Sequence, residues 1–343
     1  MQARCAEMQI SEGDLRACRE LLKNGSRSFY VASHLMPQPW RDSACALYAF
    51  CRVADDVIDE GDDPASALVG LNRRLDAIYR GAPEDTAVDR AMAVVVRRHQ
   101  LPRELPGALL EGFAWDAQAR SYDDLSSVLD YGARVAGSVG AMMALVMGVR
   151  DPHALARAAD LGVAMQLTNI ARDVGEDAHA GRLYLPRDWL REAGVDPSEF
   201  LREPRFSPEL AGVVRRLLEH AELLYRRADS GIAQLPRSCR AGIYAARLLY
   251  ARIGHELLKR DCDSVSRRTV VAAGAKLGQV VRVPGMLLLD QAGLSQPALQ
   301  ETRYLVDSVV PIAESAGGTG IAWVLDLFEE LERRDRSGRQ ATL

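Results

Sequence analysis

The sequence predicts an all-α, single-domain protein, and three observations lead there. Apolar residues recur at helical spacing along nearly the whole chain, while the apolar–polar alternation of half-buried strands is scarce. Ala, Leu and Arg outweigh clusters of Val, Ile and Thr. Hydrophobic residues make up 48% and charged residues 26% of 343 positions, enough apolar material for a sizeable core.

Taken in order, the periodic segments predict helices at 12–23, 26–35, 42–59, 64–80, 86–98 and 103–119. Further helices are expected at 124–147, 151–176, 207–234, 238–260, 267–281, 297–315 and 320–334. Pro64, Pro102 and Pro152 each fall near an expected start, where a missing N–H costs least. The longest irregular stretch, 176–209, is rich in Gly, Pro and Arg. It reads as an active-site loop rather than a domain linker, because the apolar helices on both sides can share one core. Beyond Pro284 the pattern weakens: "ESAGGTG" reads as a flexible break, and the amphipathic "GIAWVLDLFEELERR" as a helix packing on its own domain. No fixed-period repeat is evident.

Composition narrows the function. The formal net charge is −4 and no basic stripe with interleaved aromatics occurs, so no nucleic-acid partner is expected. The six cysteines form no CxxC pair and have no His at zinc spacing, which fits reduced thiols in a cytoplasmic protein. The N-terminus lacks the apolar core of a signal peptide. The most apolar run, 139–149, is about half the roughly 20 residues that a membrane helix needs.

Two acidic segments carry the chemistry. In "YAFCRVADDVIDE" (48–60), a helix advancing about 100° per residue places Tyr48, Arg52, Asp55 and Asp59 within a stripe roughly 60° wide. Asp56 sits at its margin and Glu60 faces away. An Asp-x-x-x-Asp pair alone is ordinarily a solvated face, and the same spacing recurs at Asp59/Asp63 and Asp85/Asp89. The second segment, "AMQLTNIARDVGED" (164–177), changes the balance. Gln166, Asn169, Asp173 and Asp177 share a stripe on an otherwise apolar helix, a polar line that needs partners. Facing carboxylate helices are how helical bundles build metal sites. Oxygen-only ligands favour a hard cation such as Mg2+, shared between aspartates and a substrate diphosphate. A cation also lets like charges coexist, and Arg52 would neutralise a further phosphate charge.

At this point the residues resemble a known family. "LYAFCRVADDVID" together with "QLTNIARDVGED" is similar to the squalene/phytoene synthase family of head-to-head prenyltransferases. "NGSRSFYVAS" (24–33) resembles its N-terminal Ser-x-Ser-Phe motif, and "ARLLYARIGHELLKRDCDSVSRR" (246–268) its C-terminal Tyr-x-x-Ile…Arg segment. The four blocks stand in family order. The resemblance implies one isoprenoid-synthase-type helical bundle around a deep apolar cavity over 1–284, with 285–343 a helical extension of no assigned role.

It also implies Asp55, Asp59, Asn169, Asp173 and Asp177 as metal ligands, with Tyr48 and Arg52 beside them in the catalytic set. Ser26, Arg27, Ser28, Gln166, Asn169, Arg172, Tyr250 and Arg267 match positions lining the substrates. Two positions depart from the family pattern: Ala133 stands where many relatives carry Tyr, and Gly25 where some carry His. The wording of "ALYAFCRVADDVIDE" and "RVAGSVGAMM" is most similar to bacterial phytoene synthases. The implied activity is condensation of two geranylgeranyl diphosphates to phytoene, with Mg2+ (or Mn2+) and without NADPH. Farnesyl diphosphate is the alternative substrate. A water-insoluble product suggests peripheral attachment at the inner membrane face and hand-off to a downstream carotenoid desaturase.

Two rival readings remain. "DDVID" also satisfies the Asp-Asp-x-x-Asp motif of class I terpene cyclases and chain-elongating prenyltransferases, although those families lack the Ser26–Phe29 and Tyr48–Arg52 blocks. A non-catalytic helical scaffold would be expected to lose the aspartates, and all four are present.

Overall fold

The computed structural model describes residues 9–59, 63–269, 278, 281–288 and 296–309, with the side chains of Arg27, Ser28, Pro39, Asp59, Leu287 and Leu288 outside that description. All regular structure among the described residues is helical. Helices α1 (Glu12–Gly25), α2 (Arg27–Ser33), α3 (Gln38–Asp59), α4 (Pro64–Tyr79), α5 (Ala87–His99) and α6 (Glu104–Ala117) come first. They are followed by α7 (Leu125–Gly132), a π turn (Ala133–Gly137), α8 (Ser138–Val146) and the long α9 (Pro152–His179). Then come the short α10 (Arg187–Glu192) and α11 (Pro197–Arg202), and the long pair α12 (Pro208–Ile232) and α13 (Arg237–Leu258). The C-terminal part holds α14 (Val283–Leu288), a 3-10 turn (Gln300–Thr302) and α15 (Arg303–Asp307).

Local chemistry sets these boundaries. Ser11, Thr86, Asp151 and Ser207 each accept a hydrogen bond from a first-turn N–H, and Asp124 with Ser127 forms a full capping box. Pro64, Pro152, Pro197 and Pro208 occupy first-turn positions that need no donor. The central helix α9 packs against α12, α8, the π turn and α13. It buries Leu155, Val163, Leu167 and Ile170 in a core shared with Leu47, Phe50, Leu109, Leu217 and Leu224.

Several expectations need correction. The helix expected at 124–147 is interrupted by the π turn, a device that re-aims side chains where a cavity must be lined. The stretch expected to be irregular from 176 begins inside α9 and then contains α10 and α11, which bury Trp189, Leu190 and Phe200. Each has only 6 residues, too few to show a period in sequence. Of the helix expected at 267–281, residues 267–269 are not helical and most of the remainder lies outside the described residues. The one expected at 297–315 is a 3-10 turn and α15, with 310–315 outside the description, as is 320–334. Within the assigned extension, Leu305, Val306 and Val309 are buried in the main core.

Candidate active site

An apolar cavity of about 330 Å³ runs among α2, α3, the π turn, α8, α9, α12 and α13. One end is polar, lined by Tyr48, Gln166, Asn169 and Tyr250, and the other is walled by Met36, Met147, Ile232 and Leu235. The aspartate segments continue beyond the polar end. Asp55 follows Cys51, a lining residue of α3, by one helical turn, and Asp173 follows Asn169 of α9 in the same way.

On α3, Arg52 forks onto Asp56, with Nε to Oδ2 at 3.1 Å and Nη2 to Oδ1 at 2.5 Å, while Nη1 reaches Asp55 Oδ2 at 3.5 Å. Asp56, marginal in the sequence stripe, therefore orients the guanidinium. Asp59 closes α3 on the same helix, and its side chain is outside the description. Burial, aggravated by Asp55, pushes the Cys51 thiol up to about 12. Cys51 is an inert wall residue.

On α9, Asp173 is held by two arginines. Arg172 Nε donates to Oδ1 at 2.7 Å and its Nη2 pairs with Oδ2. Arg268 Nε and Nη2 donate to the same two oxygens at 2.9 and 3.3 Å. The chain after α13 is pinned to allow this: Gly175 N–H donates to Ser264 O at 3.0 Å, and a Cβ on Gly175 would lie 2.8 Å from Val265 Cα. Only glycine admits that crossing, midway between Asp173 and Asp177. Burial, reinforced by the charge of Asp173, pushes the Asp177 carboxyl up to about 7, with Arg182 opposing. This is the behaviour of crowded carboxylates awaiting a cation.

At the polar end of the cavity, Asn169 Nδ2 donates to Gln166 Oε1 at 3.5 Å. Asn169 Oδ1 is buried without a partner, an acceptor that a cation or a substrate donor would satisfy. Phe29 sits between Tyr48 (6.2 Å, edge-on) and Tyr250 (5.1 Å), so three aromatic rings gather there. The Tyr250 hydroxyl is pushed up to about 12 by burial, against the pull of Arg172 and a hydrogen bond with Ser26. Ser26 also caps α2 through Phe29 N–H. Gly25 leaves room for Tyr48, whose hydroxyl a Cβ there would strike.

The structure thus brings together Tyr48, Gln166, Asn169 and Tyr250 in one wall, with Ser26 hydrogen-bonded behind it. Asp55, Arg52, Arg172, Asp173 and Asp177 stand on the helix turns leading away from that wall. Arg267 and Arg268 are both exposed, and Arg268 is the one that forks onto Asp173. The neighbouring pair Arg267-Arg268 lies on a non-helical segment, where no periodicity tells which side chain meets the acidic turn of α9. Among the described residues no three His, Cys, Asp or Glu side chains form a ready-made metal cage. The oxygen donors are divided between two helices.

Sequence reasoning also passed over Asp116. Tyr131 and Tyr184 donate to its two carboxylate oxygens at 2.9 and 2.7 Å, tying α6 to α7 and to the chain leaving α9. Tyr131 stands two residues before Ala133, which is buried in the π turn.

Fold and cavity together define a helical bundle of the isoprenoid-synthase type. The chain belongs to the squalene/phytoene synthase family, whose sequence model matches residues 22–275. It is 54% identical to the phytoene synthase of Rhodobacter capsulatus over 308 residues, covering 87% of this chain and 91% of that one. It is 52% identical to the phytoene synthase of Cereibacter sphaeroides over 278 residues, 78% of each chain. Among solved structures, a dehydrosqualene synthase crystallised with a ligand superposes with a TM-score of 0.75 at 29% identity, over 80% of this chain and 97% of that one.

Proposed function

We propose that this protein condenses two geranylgeranyl diphosphates head to head into phytoene, through a cyclopropylcarbinyl diphosphate and with release of two diphosphates. The observation that carries the reading is the cavity itself. It is a long apolar chamber whose polar end lies one helical turn from aspartate–arginine pairs on α3 and α9.

Asp55 and Asp59 on α3 and Asn169, Asp173 and Asp177 on α9 would hold Mg2+, with Mn2+ a substitute. The donor set fits: every ligand is oxygen, and the orphaned Asn169 Oδ1 and the raised Asp177 carboxyl both gain from a cation. When bound, Mg2+ would stabilise negative charge on the departing diphosphate. Arg52, Arg172 and Arg268 neutralise the aspartates and stand where they can donate to phosphate oxygens. Tyr48, Phe29 and Tyr250 offer ring faces to the allylic cation, worth roughly 0.5–2 kcal/mol each. The apolar walls keep water from that cation while the second double bond attacks it. Loss of a proton ends the sequence, so no NADPH enters.

The test is competition between geranylgeranyl and farnesyl diphosphates with Mg2+, products identified by mass. A forty-carbon product should dominate, and preferential thirty-carbon product would overturn the substrate reading.

Peripheral membrane attachment and hand-off to a carotenoid desaturase follow from the product's insolubility. Val31 and Leu35, on and just after α2, and Val281, ahead of α14, are exposed apolar side chains, and α2 and α14 both pack on α13. Among the described residues no helix is long and apolar enough to cross a membrane. Flotation with anionic liposomes should recover the protein, and its absence from the floated fraction would refute attachment.

A further inference from the structure

A buried charge cluster lies behind the cavity, at the end away from the aspartates. Arg157 and Asp160 of α9 have fully buried side chains (0% exposed). Asp160 Oδ2 lies 2.8 Å from Arg157 Nε and accepts from Arg227 Nε of α12 at 2.9 Å. Both guanidiniums continue to the backbone of the C-terminal segment. Arg157 Nη1 donates to Gln296 O at 2.8 Å and Nη2 to Pro297 O at 3.1 Å, while Arg227 Nη2 donates to Pro297 O at 2.8 Å. Glu301 adds a bond from Ser126 of α7 at 2.6 Å.

Burying a guanidinium and a carboxylate, with a second guanidinium half-buried beside them, is costly, and such clusters stabilise a fold less than apolar packing would. This one also touches the site. Arg157 lines the cavity, together with Gly231, Ile232 and Met147. It precedes Asn169 by about three turns of one helix, a rise of ~18 Å, so it stands at the floor beneath the polar end. Its stem is pressed against α12 at Gly231, where a Cβ would collide with Arg157 Cβ. A long flexible side chain at the floor of an apolar chamber is a poor measure of length unless it is held. The carbonyls of residues 296 and 297 hold it.

We propose that Arg157 is a specificity-determining residue whose stem sets the depth of the prenyl-chain cavity, and that residues 296–309, joined through Arg227, fix it from outside. This gives the C-terminal segment, which lies beyond the family-matched residues 22–275, a place in substrate choice. The inference rests on reading the cavity as the prenyl-chain site.

The test uses full-length wild type, Arg157→Ala and Arg227→Gln, each offered a mixture of C20 and C25 prenyl diphosphates with Mg2+, products resolved by mass. Arg227 does not line the cavity, so Arg227→Gln should retain turnover of the C20 chain. Arg157→Ala should raise the ratio of C25- to C20-derived product by roughly tenfold, the scale on which apolar pockets discriminate chain length. Arg227→Gln should shift the ratio the same way by less, and it carries the test if Arg157→Ala does not fold. A wild-type ratio in Arg227→Gln, with only its melting temperature lowered, would overturn the proposal by showing a purely structural cluster. No product from either chain with the wild type would instead overturn the reading of the cavity, and the inference with it.

Discussion

Arg268 donates through Nε and Nη2 to both carboxylate oxygens of Asp173, across 95 residues of sequence. Arg172 approaches the same carboxylate from the neighbouring position, so one aspartate is shared by two cations. The contact brings the segment after α13 to the acidic turn of α9, and it depends on the glycine crossing at Gly175.

Arg268→Ala should therefore lower kcat/KM by roughly tenfold or more, the scale of one charge-assisted hydrogen bond of about 1.5–3 kcal/mol. Arg267→Ala leaves the Arg268–Asp173 fork in place and should have a smaller effect. Steady-state kinetics of the two variants side by side decide it. A larger loss for Arg267→Ala would return the diphosphate contact to that residue.

Asp55→Ala and Asp173→Ala should each cut turnover by roughly 10²- to 10³-fold, the cost of removing one well-placed electrostatic group. Helical circular dichroism should be unchanged. A chelator should abolish wild-type turnover, and added Mg2+ should restore it. Wild-type rates in either variant would refute the aspartate assignment.

Tyr250 separates ring from hydroxyl. Tyr250→Phe loses only the hydrogen bond with Ser26, whereas Tyr250→Ala also removes the ring that meets Phe29 at 5.1 Å. Phe should retain most of kcat and Ala should not, by a margin reflecting roughly 0.5–2 kcal/mol of cation stabilisation. Equal losses in both would show that the hydroxyl, not the ring, matters.

His99 should contribute to acid lability. Burial, with Arg98 and Arg150 adding, lowers its pKa from 6.5 to about 4, and its Nε2 is 2.9 Å from Ser43 Oγ. Because the unfolded chain binds this proton more readily, stability is fully present above pH 6.5 and is lost as pH falls toward about 4. His99→Gln should flatten the melting-temperature profile across that window. An unchanged slope would assign acid lability to other groups.

How much of this could be read in advance depended on the length over which a pattern runs. The 28 residues of α9 and 22 of α3 carry enough period to predict both helices and the stripes along them. Asp56 stands at the margin of the stripe, and its pairing with Arg52 depends on where a long arginine folds back, which its angle on the helix does not tell. The π turn at Ala133–Gly137 differs from a helix by hydrogen-bond register alone, and its residues are ordinary helix formers. Arg268 and Arg157 escaped for a different reason. Their partners, Asp173 and the carbonyls of Gln296 and Pro297, are set by how distant segments cross, which no local spacing encodes.

The most direct measurement counts products from wild-type protein with Mg2+ and geranylgeranyl diphosphate, no NADPH present. Phytoene and two diphosphates for each molecule formed are expected. A cyclic twenty-carbon product, or one diphosphate released per substrate without carbon–carbon coupling, would contradict head-to-head condensation.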